Sequence, residues 1–338
     1  MADDVATILG YEARTQVINN FQFNNFAFTQ MFFNPSITED IDGRIASWDV
    51  LIADRTAGLY SAPGSPAHSV NLTPIRSDSG RLLRDYRKKD IPGEVLNQIR
   101  APGSASKQAQ GRATVAREQR SLAKNIETNK ELHLSKTLTP GAQSYTVTDG
   151  RGSEVSVSIT NSGINTITKS ASWATAGTDI LADIASAKAK AQEESGMDLK
   201  HAWCNSTFKG YFMHNTDIVN LLGGTNEAVK QVRGTDDVVI DGITFHFYDN
   251  TYTTPAGTVT KFCADKLIWY HPEPSKDWIT IFRGTELIAV DGVLRESRGL
   301  ASWTKVDDDP AGIILYALDN YLAVLTVPAA VCYSDVIT

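Results

Sequence analysis

KQAQGRATVAREQRSLAKNIETNKELHLSK, Lys107 to Lys136, contains no proline, and Gly111 is its one glycine, so it reads as a single helix. A helix from Gln108 to Leu134 is about 27 residues long and spans roughly 40 Å, more than the width of a small domain, so it must run along something extended. Val115, Leu122 and Ile126 recur at helical spacing beside Ala109, Ala113, Ala116 and Ala123, while Arg112, Arg117, Arg120, Lys124, Glu127 and Lys130 fill the other faces. The pattern predicts one narrow buried stripe, with the remainder in water or against a partner.

The flanks differ from the helix and from each other. Downstream, Tyr145 to Ile159 alternates apolar and polar residues on both sides of Asp149-Gly150-Arg151-Gly152, a β-hairpin pattern. Upstream, Ile37 to Gly103 offers short strand-like pieces at Ala46 to Ala53 and Ser69 to Leu72, cut by Ala62-Pro63-Gly64-Ser65-Pro66, Asp78-Ser79-Gly80 and Ile91-Pro92-Gly93. Its apolar content is too low for a core of its own, which predicts an extended two-stranded loop lying against other surfaces; loops this long usually have a function. Before it, six of the twelve phenylalanines fall between Phe21 and Phe33, among them Phe26, Phe28, Phe32 and Phe33. Aromatics on several faces of one segment have to be covered on several sides, by a core or by a neighbour that the segment clasps.

The net charge of −7 is unevenly spread. Arg76 to Lys136 holds fourteen basic against seven acidic residues, so this stretch is +7 and the rest sums to −14. Basic clustering can signal nucleic-acid binding. No recognition motif accompanies it, and Tyr86 is the only aromatic between Arg81 and Lys89. Contact between one subunit's basic arm and another's acidic body is the preferred reading.

After the hairpin come an expected helix from Asp179 to Glu194 capped by Thr178, a strand at His201 to Cys204, and a helix from Ser206 to Leu222 stopped by Gly223-Gly224. Strands are expected at Val238 to Tyr248, Thr258 to Phe262 and Lys266 to Tyr270. The mixture is α+β. Ala311 to Val331 is apolar enough to suggest a membrane span, but Asp319 and Asn320 lie at its centre, so two buried strands joined at that pair are expected.

The chain shows no P-loop, HExxH, GxSxG or strand-preceded GxGxxG. Cys204, Cys263 and Cys332 are far apart, with no CxxC, which predicts a reducing compartment and no disulfide framework. Cys204 reads as a buried small hydrophobe. The six histidines are widely separated in sequence, without partners at metal-ligand spacing, and are expected to be packed or surface residues. Asp307-Asp308-Asp309-Pro310 reads as a solvated acidic turn ahead of a hard-cation site. Asp3 and Asp4 stand where a secretory signal would be basic, so a cytoplasmic protein is expected. No catalytic residue, cofactor or metal is expected.

Taken in order, the Phe-rich segment closing on Phe32-Phe33, the basic Gly/Pro-rich loop, the long charged helix, the Tyr145 to Ile159 hairpin, Asn165-Thr166-Ile167 leading to Ser172-Trp173, and the apolar C-terminal segment resemble the major capsid proteins of tailed bacteriophages. The likeness is to the lambda-type major head protein, capsid protein E, and it runs nearly the whole chain. It implies an α+β fold of the Hong Kong 97 type, with an N-terminal arm at 1–35 and an E-loop at 36–98. A peripheral domain with the spine helix would occupy 99–174, with a return segment at about 275–312, and an axial domain with C-terminal strands 175–338. It implies a non-enzymatic shell subunit that forms pentamers and hexamers around double-stranded DNA, binding that DNA without sequence specificity and no membrane. The implied partners are a separate scaffolding protein, a portal and a decoration protein, and the implied location is the virion, assembled in the host cytoplasm. Some relatives weld subunits by a Lys to Asn isopeptide bond; neither Lys88 nor Lys89 matches such a site, so no crosslink is expected. Arg81, Arg84, Arg87, Lys88 and Lys89 are the expected loop contacts to a neighbour, and Phe26, Phe28, Phe32 and Phe33 the expected packing of the arm on a subunit body. An encapsulin-like cargo shell, recognisable by empty particles forming without scaffold, and a soluble enzyme, recognisable as a small oligomer with a catalytic pocket, stay open on the sequence.

Overall fold

The computed structural model describes residues 15–16, 18, 26–51, 75–93, 105–148, 154–175, 177–290, 293–308 and 311–337. The first half runs α1 (Ala27–Phe32), β1 (Thr38–Ile41), β2 (Ile45–Leu51), β3 (Ile75–Arg81), β4 (Leu83–Pro92), α2 (Ala105–Thr137), β5 (Gly141–Thr148), β6 (Glu154–Asn161) and β7 (Asn165–Thr166). Then come α3 (Ile180–Ser195), β8 (His201–Cys204), α4 (Thr207–His214), α5 (Thr216–Leu221), α6 (Thr225–Ala228) and a π turn at Val229–Arg233. Strands dominate the remainder: β9 (Asp237–Ile240), β10 (Ile243–Phe247), β11 (Thr251–Thr253), β12 (Val259–Lys261), β13 (Leu267–His271), β14 (Ile279–Val290), β15 (Val293–Arg298), β16 (Ala301–Asp308), β17 (Ala311–Leu325) and β18 (Cys332–Asp335). The chain divides into two compact units, one of Met1–Ala46, Arg81–Leu134 and Ile281–Ala323, the other of Ser47–Gly80, Ser135–Thr280 and Val324–Thr338.

The first unit is built on a sheet ordered β1-β14-β17-β16, with β15 paired to β14 and β4 to β17. Helix α2 packs Val115, Leu122, Ala123 and Ile126 against Ile91 of β4, Leu315 and Ala317 of β17, and Ile18. The helix is longer than expected, and the narrow stripe holds only as far as Ile126. Beyond it Lys130, Glu131, His133 and Leu134 are all buried. Their polar groups have partners: Lys130 meets Asp319 and Glu127, Glu131 meets α1, and His133 Nε2 accepts from the Ala323 N–H at 2.8 Å.

Asp319 and Asn320 do not turn the chain. They sit inside one 15-residue strand, β17, because Asp319 is neutralised by Lys130 and Asn320 donates to Glu286. The expected two strands joined at that pair are therefore one. Gly284, buried in β14, sits where two strands of chain approach closely: an added Cβ would run into the Leu82 side chain and lie 2.8 Å from the Gly43 carbonyl oxygen. Gly284→Ala is expected to cost about 1–3 kcal/mol through overpacking, seen as a lowered Tm; an unchanged Tm would show that the neighbours give way freely.

The second unit has a sheet ordered β7-β18-β13-β8-β10-β9. One face packs under α3, α4 and α5 through Cys204, Phe245, Ile268 and Tyr270, meeting Ile184, Phe208, Phe212 and Ile218. The cap of α3 is Asp179, whose carboxylate accepts from the Ala182 N–H. Thr178, the expected cap, turns its hydroxyl to the Ser172 carbonyl. The expected helix from Ser206 to Leu222 is broken at Asn215, which takes extended backbone angles and caps α5 by accepting from the Ile218 N–H. Val238 to Tyr248 is a hairpin turned at Asp241-Gly242, both at positive φ, a dipeptide suited to a tight turn. The hairpin read from Tyr145 to Ile159 is β5–β6, with Tyr145 opposite Val157. β2 and β3 form a two-stranded ribbon. Its connecting residues, including the strand expected at Ser69 to Leu72, lie outside the described ones, as do Phe21, Phe23, Asp309 and Pro310; Asp307 and Asp308 belong to β16.

Candidate functional site

The expected contact residues of the basic segment fall on β4, or just before it at the end of β3. β4 is a ten-residue strand zipped antiparallel to β17, with Leu83 opposite Tyr321 and Pro92 opposite Gly312. This part of the segment, expected to lack a core and lie on a neighbour, is a strand of the unit's own sheet. Period-2 alternation then sorts its side chains. Leu83, Asp85, Arg87, Lys89 and Ile91 face α2, while Arg84, Tyr86, Lys88 and Asp90 stand on the opposite, exposed face.

On the helix side, Lys89 pairs with Glu118 at 2.6 Å and donates to Ser121 at 3.1 Å. Glu118 is held below the usual carboxylate range, chiefly by its hydrogen bond from Lys89. Arg87 donates to Asp85 at 2.8 Å, and Asn129 donates to the other Asp85 oxygen at 2.7 Å. Asp85 lies directly opposite Asp319 across the ladder. Burial pushes its carboxyl up despite Arg87 and Asn129, and Asp319 pushes the same way. Lys130 Nζ sits 2.7 Å from Asp319 and 3.0 Å from Glu127, with the Phe33 ring centroid 5.0 Å away. Burial opposes its charge, but these two carboxylates outweigh it and raise its pKa.

On the open face Arg84 grips Glu286 with two nitrogens, at 2.9 and 2.8 Å, and lies 4.5 Å over the Tyr86 ring. Arg44 and Asn320 add bonds to Glu286. Although burial pushes that carboxyl up, these donors hold it below its usual value. Tyr86, 43% exposed, stacks on Tyr316 and Trp303 at 5.5 and 5.7 Å. Arg81, at the end of β3, and Lys88 are exposed and carry no ion pair among the described residues.

The four phenylalanines have their place in the chain's own first unit. Phe26, Phe28 and Phe32 are buried, and Phe33 meets Tyr321 edge-on at 5.7 Å. No side chain at its own N-cap closes α1; Glu131 of α2 does so, accepting from the Phe28 N–H at 3.0 Å and from the Thr29 N–H and hydroxyl at 2.8 Å each. A carboxylate at a helix N-terminus satisfies free donors and complements the dipole. Nearer the chain start, the Thr15 hydroxyl exchanges bonds with the backbone of Ser302.

The described residues contain no group of His, Cys, Asp or Glu able to hold a metal ion, and no helix long and apolar enough to cross a membrane. One hollow, about 420 Å³, is an open trough lined by Lys188, Gln192, Asp198, Lys200 and Gly242. Cys204 is fully buried, and burial pushes its thiol well above the ordinary value, consistent with a packed residue.

Residues 13–333 match the family model described as phage major capsid protein E. The chain belongs to that family. Among solved structures it is similar to the putative capsid protein of a prophage of Escherichia coli CFT073, at 12% identity and TM-score 0.60, covering 95% of this chain and 97% of the other. The capsid of a native GTA particle aligns at 10% identity and TM-score 0.57, over 94% and 92% of the two chains. A phage-related protein of Bordetella bronchiseptica aligns at 10% and TM-score 0.55, over 96% of both. No curated protein matches the chain. The fold is the Hong Kong 97-type capsid fold that the order of parts in the sequence implied, and the function is that of a phage major capsid protein, a structural component of the virion.

Proposed function

We propose that this capsid protein assembles as pentamers and hexamers into an icosahedral shell around double-stranded DNA, without catalysing a reaction. The match to capsid protein E from residue 13 to residue 333 carries this reading. Within it, residues 1–35 are the arm and α2 is the spine helix; within the segment 36–98, the β2–β3 ribbon belongs to the E-loop. The remainder divides into a peripheral domain (99–174, with a return at about 275–312) and an axial domain with C-terminal strands (175–338). Assembly takes place in the host cytoplasm with a separate scaffolding protein, and the finished shell carries a portal and a decoration protein. A −14 remainder outside the basic stretch keeps the shell from gripping incoming DNA, since a strongly basic lining would bind phosphates by counterion release.

Intrachain pairing divides the five basic candidates. Arg84, Arg87 and Lys89 already have carboxylate partners in their own subunit, so reversing them damages the fold as well as any interface. Arg81 and Lys88 are exposed without ion pairs among the described residues, which makes them the informative pair. Arg81→Glu with Lys88→Glu is expected to leave the far-ultraviolet spectrum and Tm within a degree or two of wild type while reducing particle yield at least tenfold. The readout is negative-stain microscopy and sizing of protein expressed with its neighbouring genes. Normal shells from a folded double variant would remove these residues from the interface.

A further inference from the structure

The face of the second unit's sheet turned away from its helices carries a row of ring side chains that the sequence scatters. Asp237 on β9 is opposite His246 on β10; His246 is in register with Trp203 on β8; His201, two residues earlier, is opposite His271 on β13. His201 Nε2 lies 2.8 Å from Glu273 Oε2, His201 Nδ1 lies 3.0 Å from His246 Nε2, and His246 Nδ1 lies 2.7 Å from Asp237 Oδ1. Four titratable groups thus form one chain, Asp237 to His246 to His201 to Glu273.

Counting protons along it gives an odd result. An ionised carboxylate only accepts, so the outer contacts require protons on His246 Nδ1 and His201 Nε2. Two neutral imidazoles have one proton each, and both are now used. The inner contact would then be two lone pairs facing each other at 3.0 Å. One additional proton completes all three bonds and leaves a single positive charge between two carboxylates. A second would set N–H against N–H.

The surroundings agree with one proton. The Trp203 ring lies against His246 at a tilt of 30°, with centroids 4.5 Å apart, offering a π face to a cation. His271, stacked 5.3 Å from His201, has no part in the exchange: its Nδ1 donates to the Pro272 carbonyl and its Nε2 accepts from Trp203 Nε1. It is a neutral, satisfied ring, held down to about 3, mainly by burial. His246 is held below its ordinary value by burial, with Asp237 opposing and His201 adding to the depression, the expected resistance to a second charge. Among the described residues, Asp237, Glu273 and His271 are the titratable groups facing the pair from the other elements packed around it.

We propose that His201 and His246 form a single-proton site, a clasp that joins the Glu273 segment, β8, β10 and β9 when one proton is bound and opens at its centre when that proton leaves. The two rings share the one proton, so it binds to and leaves the pair as a unit. His246 is held below its ordinary value by burial, so as pH falls below the unfolded histidine value of about 6.5 the unfolded chain takes up protons that the folded pair does not, and the stability supplied by the clasp shrinks. As pH rises the shared proton leaves, and the bond at the centre of the clasp is lost.

Two measurements test this on the full chain. The first compares Tm for wild type and His246→Gln from pH 5 to 9, and the gap is expected to narrow by half or more as pH falls below about 6.5. The second follows the ring nitrogens of ¹⁵N-histidine-labelled wild type, which needs no variant to fold. His201 and His246 should change together over the titration, and Glu273→Gln should weaken the coupling between them. Two rings titrating independently near 6.5, or a Tm gap flat with pH, would overturn the proposal.

Discussion

Glu131→Ala is expected to release the N-terminal arm. The substitution leaves the Phe28 and Thr29 N–H groups and the Thr29 hydroxyl without their acceptor, at a carboxylate that is itself fully buried. Buried donors left unmade cost about 1–3 kcal/mol each. Because α1 has only six residues and no side-chain cap of its own, it has little to hold it once the acceptor is gone. The arm should become cleavable by protease ahead of Asn34 while the rest of the first unit survives, and shell yield should fall sharply. Glu131→Gln, which keeps one acceptor oxygen, should be intermediate. Unchanged cleavage and normal particles would mean that Phe26, Phe28 and Phe32 hold the arm by burial alone.

The second large effect is expected from Lys130→Met. Its ammonium is what makes Asp319 tolerable at 2% exposure, and one Asp319 oxygen already has no hydrogen-bond partner. Removing one member of a buried pair typically costs about 3–5 kcal/mol, because the other charge stays behind. Adding Asp319→Leu should recover most of that loss and remove the like charge opposite Asp85. Since the lysine is raised above its free value of about 10.4, its contribution is complete below that pH and is lost at more alkaline pH. Chemical denaturation of the single and double variants measures both parts. A double variant as weak as the single one would show that the pair specifies the strand arrangement beyond its charge balance.

The long helix, the hairpin after it and the α+β class were legible in the sequence because each leaves a periodic or turn signal within a few residues. The wider burial at the end of α2 was not. Lys130, Glu131 and His133 are polar letters that count as wet until their partners Asp319, the α1 amides and Ala323 are known, and those partners lie about 100 to 190 residues away. The same blindness split β17 at Asp319-Asn320. It also hid β4, where lysine, arginine and aspartate occupy both faces of a strand, so no apolar alternation survives. The histidine row escaped for a third reason: strand register, not sequence spacing, brings His201, His246 and His271 side by side. Among the contact candidates, the burial of Phe26, Phe28 and Phe32 in the chain's own unit is one of the two coverings that composition left open, and nothing local distinguished Lys88, which is open, from Lys89, which is paired.

β17 gives the first unit an unusual timetable. Its backbone bonds β4 along one edge and β16 along the other, and its side chains Leu315 and Ala317 fill the floor beneath α2. On a ribosome, β4 and α2 are complete roughly 170 to 220 residues before that strand begins, and contacts of such long range form slowly and late. Until then the helix has no floor and β4 no partner. A nascent chain therefore waits, with its apolar stripe uncovered, for a strand made much later in synthesis. A polypeptide cut short before residue 311 would lack the template for its own sheet and so could not present the finished surface to a growing shell, which lets translation errors of this kind be rejected before assembly.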